Sequence, residues 1–272
     1  MSGEVFYKMT GSGNDFVMLD GRYTSISDWP AARIQTVCDR RMGVGADGLV
    51  ILTPVADGMV RMDFFNNDGS PAPMCGNAAL CSSRLAAHLE FSSPESTVLQ
   101  TEAGLVRTRS VGPGHAAELC LPAFPVPRRL DIPLLPGETG IYGGTVGAPH
   151  LVVLTSDATK VDLLRRGREL RLHPAAWPGG ANVNFISPGA SPEDPWLVRT
   201  YERGVEGETL ACGTGTVAAA MVAHSEGLRA LPGEWVTTLG LRLSVAGMVV
   251  NDRVEEAWLC GEGRLVYLGV IR

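Results

Sequence analysis

Two stretches of the sequence decide the fold: MCGNAALC at residues 74–81 and LACGTGTVAAA at residues 210–220. In each stretch a cysteine is followed directly by a glycine and then by an alanine-rich run with helical spacing. The two cysteines, Cys75 and Cys212, are separated by about half of the 272 residues. A repeat at this spacing indicates two related halves, so we expect two similar units, each with one thiol at the start of a helix.

The overall composition limits the partners of such a protein. The formal net charge is −6 and the basic residues form no long run, so the sequence lacks the basic patch that nucleic acid or an anionic membrane would bind. No apolar stretch approaches the roughly 18 residues that span a bilayer, and the first ten residues lack the apolar core of a signal peptide. We therefore expect a cytoplasmic protein with no membrane and no nucleic-acid partner.

The cysteine pattern argues against a disulfide framework and against a metal site. The sequence contains no CxxC pair and no Cys/His cluster with the spacing of zinc ligands. In a reducing compartment, cysteines of this kind are mostly small buried hydrophobic side chains. We interpret four of the six in this way: Cys38, Cys81, Cys120 and Cys260.

A glycine motif in the first half does not indicate a dinucleotide site. Gly43, Gly45 and Gly48 match GxGxxG, but here a predicted helix precedes the motif and a predicted strand follows it. The dinucleotide motif requires the opposite order.

A proline-rich segment divides the chain. PAFPVPRRLDIPLLP, at residues 122–136, contains five prolines and can neither continue a helix nor lie centrally in a sheet. Each side of it has several predicted strands and one cysteine-headed helix. This arrangement predicts two similar α/β domains that face each other across a cleft.

The chemistry follows from the start of each helix. N–H groups and the helix dipole bind anions there and favour a thiolate, and Gly76 and Gly213 allow the backbone to approach a ligand closely. Two such helix ends could hold one carboxylate while a thiolate and a thiol flank its α-carbon. The sequence therefore predicts a two-base racemase, in which Cys75 and Cys212 exchange the roles of base and acid. This mechanism requires no pyridoxal phosphate, and we expect no cofactor.

The motifs together resemble the diaminopimelate epimerases, a family of cofactor-independent, two-cysteine amino-acid epimerases. The resemblance extends over nearly the whole chain. It is carried by GSGNDF (residues 11–16), GVGADG (43–48), FNNDGSPAPMCGN (65–77), GAPH (147–150), ANVNF (181–185), YERGVEGETLACGTG (201–215) and VYLG (266–269).

The resemblance implies a fold and a domain division. The expected fold is α/β (α+β), with two pseudo-symmetric domains, each a mixed, mostly antiparallel sheet curled around a central helix. The active site is expected in the cleft between the domains. Because the C-terminal strand returns to the first domain in this family, we expect one domain of residues 1–121 with 264–272 and another of residues 122–263.

The resemblance also implies site residues. The catalytic pair matches Cys75 and Cys212, and the residues that adjust the thiol pKa values match His150 and Glu202. Tyr267 matches a tyrosine at the family's dimer interface, which implies a homodimer. The expected substrate-binding residues are Asn14, Asn66, Gly76, Asn77, Asn182, Glu202, Arg203, Gly213 and Thr214.

The sequence departs from the family pattern at four places, and none of them is at the two cysteines. The resemblance therefore supports the type of reaction more firmly than the substrate. Ala148 stands where the family usually has asparagine, Gly48 where some members have glutamine, and Leu80 where arginine is usual. The stretch ERGVEGET is also one residue longer than the commoner ERGxGET.

Three functions remain open on the sequence alone. The first is interconversion of LL- and meso-diaminopimelate, in lysine and peptidoglycan precursor biosynthesis. The second is racemisation or isomerisation of another amino acid, such as histidine, on the same fold, which Ala148 keeps open. The third is carboxylate binding without chemistry, which would tolerate serine at both cysteines.

Overall fold

The computed structural model describes residues 3–112 and 114–272. The chain separates into two units, Met1–Cys120 with Cys260–Arg272, and Leu121–Leu259. Its four α-helices are α1 (Ala31–Cys38), α2 (Gly76–His88), α3 (Leu163–Arg171) and α4 (Gly213–Ser225), and two short 3-10 helices cover Ile26–Asp28 and Ala158–Lys160.

The strands are mostly short and come from both units. In the first unit they are β1 (Glu4–Gly11), β2 (Asn14–Asp20), β3 (Gly48–Ala56), β4 (Met59–Asn66), β5 (Pro71–Ala72), β6 (Thr97–Thr101), β7 (Gly104–Val111) and β8 (Ala116–Leu121). In the second they are β9 (Phe124–Pro125), β10 (Arg128–Arg129), β11 (Glu138–Val146), β12 (Ala148–Thr155), β13 (Asn182–Ser187), β14 (Trp196–Glu202), β15 (Gly207–Thr209), β16 (Gly233–Val236) and β17 (Arg242–Val250). The chain then passes back through β18 (Arg253–Glu262) to β19 (Arg264–Ile271).

The sheet of the first unit is mixed and mostly antiparallel. β1 and β2 form an antiparallel hairpin, β2 pairs with β3 in parallel, and β3 and β4 form a second hairpin. β4 then pairs with β6 in parallel, and β6 to β8 are antiparallel. The C-terminal strand β19 pairs antiparallel with β1, which places the end of the chain in the first unit.

The second unit repeats this pattern. β11 and β12 are antiparallel, β12 and β13 parallel, β13 and β14 antiparallel, β14 and β16 parallel, and β16 and β17 antiparallel. α3 lies between β12 and β13 in the chain, as α1 lies between β2 and β3, and α4 precedes β16 as α2 precedes β6. The two halves are therefore an internal structural repeat.

Alternate apolar side chains along the strands pack against a helix, which covers one face of each sheet. In the first unit, Val17, Leu19, Leu49 and Ile51 pack with Ile34 of α1. In the second unit the corresponding set packs with α3 and contains Leu151, Val153, Val183, Phe185, Leu163 and Leu170. Because successive side chains point to opposite faces of a strand, the intervening residues face the other way.

The two cysteine-headed helices fill the centre of each unit. α2 contacts β1, β2, β3, β4, β6, β7 and β19 of the first unit, and α4 contacts β11, β12, β13, β14 and β17 of the second. Residues 215–223 of α4 are all buried, as expected for a helix that is apolar on all sides. Alanine supplies helix propensity and little bulk, so strands can approach the helix from several directions. These observations confirm the predicted α+β fold.

Several local predictions differ from the structure. The sequence predicts that Ser27 or Asp28 caps a helix running to about Arg40, but α1 begins at Ala31. The Asp28 carboxylate accepts hydrogen bonds from the N–H and hydroxyl of Ser25, so it closes the preceding 3-10 turn instead. The proline-rich segment also contains two strands of two residues each, β9 and β10.

The charged stretch at residues 162–172 predicts a helix, and the structure confirms it as α3, with Asp162 as its N-cap. Within residues 3–112 and 114–272, none of the helices is long and apolar enough to cross a bilayer.

Candidate active site

The repeat places the predicted site residues at equivalent positions in the two units. Asn14 begins β2 as Ala148 begins β12, and Gly48 begins β3 as Asn182 begins β13. Asn66 ends β4 as Glu202 ends β14. The sheet registers agree, since Phe16 of β2 lies opposite Gly48 of β3 as His150 of β12 lies opposite Asn182 of β13. In each unit, these residues therefore gather at one end of the sheet.

Cys75 is the N-cap of α2. Its backbone is extended, with φ −134° and ψ 124°, and its carbonyl accepts the first helical hydrogen bond from Ala79 N–H at 2.9 Å. The first N–H groups of an α-helix have no acceptor within the helix. Those of Gly76 and Asn77 therefore form the end of α2 that can bind an anion. The Cys75 side chain is half-buried.

A chain of amide hydrogen bonds orients Asn77. Its Nδ2 donates to Asn14 Oδ1 at 2.7 Å, and Asn14 Nδ2 donates to Asp47 Oδ2 at 3.0 Å. A carboxylate can only accept, so Asp47 determines which end of the Asn14 amide faces Asn77. Sequence reasoning missed Asp47, although it lies within the GVGADG motif.

A charged cluster supports this chain. Arg40 donates to Asp47 at 2.7 Å and to both carboxylate oxygens of Asp15, while Lys8 donates to Asp15 at 2.6 Å. Burial raises the pKa of Asp15, but the hydrogen bonds from Arg40 and Lys8 outweigh it and bring the pKa to about 2. Asp15 is therefore ionised at neutral pH.

Asn66 lies opposite Gly48 but uses its amide within its own turn. Its Nδ2 donates to Ser70 Oγ at 3.0 Å. A side chain at Gly48 would meet the Phe65 carbonyl oxygen at 2.6 Å and the Phe64 ring at 2.7 Å, so this backbone favours glycine at this position. Leu80, another departure from the family pattern, is fully buried in α2.

Cys212 is the N-cap of α4 and matches the geometry of Cys75. Its backbone is extended, and its carbonyl accepts hydrogen bonds from both the N–H and the hydroxyl of Thr216 at 2.9 Å. The N–H groups of Gly213 and Thr214 lie in the first turn of α4. The Cys212 sulfur is also 3.8 Å from Thr214 Oγ1, within hydrogen-bond range for sulfur.

His150 is fully buried and lies beside the Cys212 helix. Its Nε2 is 3.0 Å from Thr214 Oγ1, and its Nδ1 is 3.2 Å from Asn184 Nδ2. Burial lowers the pKa of His150 to about 4, against an opposing contribution from the Val146 backbone. The imidazole is thus neutral at physiological pH.

Asn184 was missed by sequence reasoning. It is fully buried and follows Asn182 by two positions on β13, which puts both on the same face of the strand. The ANVNF motif carries this signal, because a polar residue in a wholly buried strand requires partners.

The remaining predicted residues of the second unit lie at the end of β14. Asn182 Oδ1 accepts from Arg203 N–H at 2.8 Å, which fixes the backbone directly after Glu202. The Arg203 side chain is exposed, and its guanidinium is 3.3 Å from the Gly180 carbonyl.

The longer ERGVEGET stretch forms the turn between β14 and β15. Glu206 has a left-handed backbone with φ 56° and accepts a hydrogen bond from Arg171 of α3 at 2.8 Å. The turn is therefore anchored to α3.

Two glycines permit the close packing at the Cys212 helix. Gly147 has φ +68°, and a side chain there would meet Thr214 at 3.3 Å. A side chain at Gly215 would strike Asn184 Oδ1 and lie 3.1 Å from the Cys212 sulfur.

Of the four cysteines predicted to be buried, Cys38, Cys81 and Cys120 are buried, whereas Cys260 is half-buried. Burial raises the thiol pKa of Cys38 and Cys260 to about 11, and raises that of Cys81 well above its usual value, so these three remain protonated thiols. Tyr267 lies on β19 opposite Lys8 and packs edge-on against Phe6. Among the described residues, no three His, Cys, Asp or Glu side chains are grouped as metal ligands would be.

Comparison with known proteins places these features in one family. The diaminopimelate epimerase family model matches residues 6–119 and 144–241, and the matched ranges include both Cys75 and Cys212. The diaminopimelate epimerase of Gemmatimonas aurantiaca is 42% identical over 98% of this chain and 98% of its own. That of Aquifex aeolicus is 36% identical over 97% of this chain and 96% of its own.

Solved structures share the fold at low sequence identity. An Enterococcus faecalis phenazine biosynthesis protein of the PhzF family has a TM-score of 0.74 and 16% identity, with 100% of both chains covered. A hydroxyproline epimerase from Agrobacterium vitis has a TM-score of 0.63 and 16% identity, covering 98% of this chain and 92% of its own. The fold is therefore shared, while the sequence relatives decide the family: this chain belongs to the diaminopimelate epimerase family.

Proposed function

We propose that the protein is a diaminopimelate epimerase, which interconverts LL- and meso-2,6-diaminopimelate without pyridoxal phosphate. The observation that carries this proposal is the repeated N-cap cysteine. Cys75 and Cys212 each begin a buried 13-residue helix, each is followed by glycine and a small polar residue, and both lie in ranges matched by the family.

In the proposed reaction, the two thiols act on one α-carbon. The thiolate of one cysteine takes the α-proton, and the thiol of the other donates a proton to the opposite face. The roles of the cysteines exchange when the reaction runs in reverse. This scheme conserves protons, since one S–H bond forms as the other breaks.

The helix ends supply the carboxylate site of this proposal. N–H groups of Gly76 and Asn77 at α2, and of Gly213 and Thr214 at α4, would donate to the carboxylate of the reacting centre. Fixed dipoles of this kind stabilise the negative charge that develops when the α-proton leaves. Asn14 acts on this site through its hydrogen bond to Asn77.

We assign recognition of the second amino-acid centre to side chains at the strand ends, where Asn66 ends β4, Asn182 begins β13 and Glu202 ends β14. The Glu202 carboxylate suits an ammonium group, and the Arg203 guanidinium suits a carboxylate, which it can bind through two parallel hydrogen bonds. Asn66 and Asn182 would contact the rest of the substrate. His150 and Glu202 would adjust the thiol pKa values.

We further propose a cytoplasmic homodimer that acts in lysine and peptidoglycan precursor biosynthesis. Support for the dimer comes from β19, where the apolar side chains of Val266, Tyr267, Leu268 and Val270 are 45–55% exposed. Sedimentation equilibrium of the wild type and Tyr267→Asp tests this. A dimer that Tyr267→Asp dissociates is expected, and a monomeric wild type would contradict it.

Deuterium incorporation tests the enzymatic proposal. Purified, reduced protein is incubated in deuterated solvent with LL-diaminopimelate or with histidine, and α-deuterium and stereochemistry are followed. We expect incorporation with diaminopimelate alone. Incorporation only with histidine would identify a different racemase, and binding of diaminopimelate without incorporation would indicate a carboxylate-binding protein.

Cysteine substitutions test the two-base assignment. Cys75→Ser and Cys212→Ser are each expected to lower epimerisation about a hundredfold or more, the usual contribution of a general acid or base. Cys260→Ser is the matched control, because Cys260 is a half-buried thiol outside the proposed site, and it should retain activity. Full activity in either of the first two variants refutes the assignment.

A further inference from the structure

We propose that Asn184 is a positioning residue, which fixes the tautomer of His150 and thereby aims the hydroxyl proton of Thr214 at the sulfur of Cys212. The inference deepens the proposed function and rests on it. It follows from the direction of each hydrogen bond in a series of four side chains, of which Asn184 and His150 are buried and Thr214 and Cys212 are half-buried.

The orientation of the Asn184 amide is determined by its two neighbours. Its Nδ2 is 2.9 Å from the Leu151 carbonyl oxygen, which can only accept a hydrogen bond. Its Oδ1 accepts from Thr200 Oγ1 at 2.8 Å. Exchanging the amide oxygen and nitrogen would set two acceptors against each other at Leu151. Asn184 is wholly buried, so water does not relieve such a conflict.

This orientation decides where the imidazole proton lies. The second Nδ2 hydrogen of Asn184 points to His150 Nδ1 at 3.2 Å, so Nδ1 must be the acceptor. In a neutral imidazole one nitrogen accepts and the other donates. The proton of His150 therefore lies on Nε2, where Thr214 Oγ1 at 3.0 Å and the Val146 backbone carbonyl can both accept it.

The hydroxyl of Thr214 then has a preferred direction. One lone pair of Oγ1 accepts from His150, which leaves the hydroxyl proton to point elsewhere, and the Cys212 sulfur lies 3.8 Å away. Donation to the sulfur favours its charged form over the neutral thiol. Asn184, His150 and Thr214 thus each have one hydrogen directed along the series toward Cys212, so these side chains support the thiolate that acts as base.

The sequence keeps this path clear. A Cβ at Gly215 would strike Asn184 Oδ1 and approach the Cys212 sulfur to 3.1 Å. Glycine at this position therefore leaves room for both the Asn184 amide and the Cys212 thiol beside the first turn of α4.

The first test needs no variant and no substrate. Nitrogen-15 NMR of the histidine side chains reports the tautomer of His150, with the His150→Gln spectrum for assignment. We expect a neutral ring protonated on Nε2 at pH 7. A ring protonated on Nδ1, or on both nitrogens, would overturn the inference.

The second test separates the Thr214 hydroxyl from its backbone. Thr214→Val keeps the N–H that binds carboxylate and removes only the hydroxyl, while Thr214→Ser restores it. Since a hydrogen bond to a charged group is lost, we expect kcat to fall about tenfold or more in Thr214→Val, with KM nearly unchanged. Thr214→Ser should recover most of kcat. Equal kcat in the valine and serine variants would refute the role of the hydroxyl.

Asn184→Leu extends the test to the positioning residue itself. Loss of the Nε2-protonated tautomer together with a lowered kcat is expected, whereas an unchanged tautomer refutes the inference. Ser187→Ala is the control, because Ser187 is a buried polar residue on the same strand whose Oγ accepts from Ala158 N–H, outside the series from Asn184 to Cys212. If the wild type exchanges no α-proton of diaminopimelate, the proposed function fails, while the tautomer measurement still decides the role of Asn184.

Discussion

Acid should destabilise this protein through His150. The ring is fully buried, and its pKa is lowered from 6.5 to about 4 by that burial. The unfolded chain binds a proton at this histidine below pH 6.5, whereas the folded protein does not until about pH 4. Unfolding is therefore favoured progressively as the pH falls through this window.

The size of the effect follows from the shift. At about 1.4 kcal/mol per pKa unit, a shift from 6.5 to about 4 corresponds to about 3 kcal/mol. Typical domains are stable by only about 5–15 kcal/mol, so this single group accounts for a large part of such a margin. The loss of stability caused by His150 reaches its full size near pH 4 and is absent above about pH 7.

Urea denaturation of the wild type and His150→Gln between pH 4 and pH 7.5 measures this. The glutamine variant has its own fixed cost, so the informative quantity is the difference between the two free energies of unfolding as a function of pH. This difference should change by about 3 kcal/mol across the window, with the wild type losing stability faster as the pH falls. His88→Gln, which replaces an exposed histidine in the last turn of α2, is the control. Parallel pH curves for the wild type and His150→Gln would refute the reasoning.

Three further substitutions are informative. Asp47→Ala removes the acceptor that orients Asn14, so KM for diaminopimelate should rise about tenfold in steady-state kinetics; an unchanged KM would count against this role. Ala148→Asn restores the residue usual in the family and should lower that KM about fivefold, the worth of roughly one hydrogen bond, unless position 148 lies outside the substrate site. Arg166→Leu leaves Glu138 without its partner in an ion pair whose side chains are both 5% exposed, and should cost about 3–5 kcal/mol in denaturation experiments, with most of it recovered in the double variant with Glu138→Leu.

The helices headed by Cys75 and Cys212 could be predicted because their signals are local. Cysteine, glycine and an alanine-rich run occupy consecutive positions, and the structure places both cysteines as N-caps. The sequence predicts the start of α1 too early, because the Asp28 carboxylate could accept either from the first turn of α1 or from the 3-10 turn before it. The hydrogen bond from Ser25 N–H selects the 3-10 turn.

The hydrogen-bond partners within each site could not be predicted from the sequence. Asn184 meets His150 only because β12 and β13 pair in parallel, and Asp47 meets Asn14 across a separation of 33 positions. Motifs identify residue types near a reaction, but the direction of each hydrogen bond depends on non-local strand pairing. The pairing of β19 with β1 is similarly non-local, and it was expected only from the family resemblance.

The amide chains behind the two helix ends have a common property. One ends on the Asp47 carboxylate and the other on the Leu151 carbonyl, and neither group can donate. The dipoles beside both thiols are therefore set before any ligand arrives, so they need not rotate when charge develops on it. Water around a free amino acid would have to reorient for the same purpose. Because these dipoles need little reorganisation, the Asp47 carboxylate and the Leu151 carbonyl would contribute to the rate without touching the substrate.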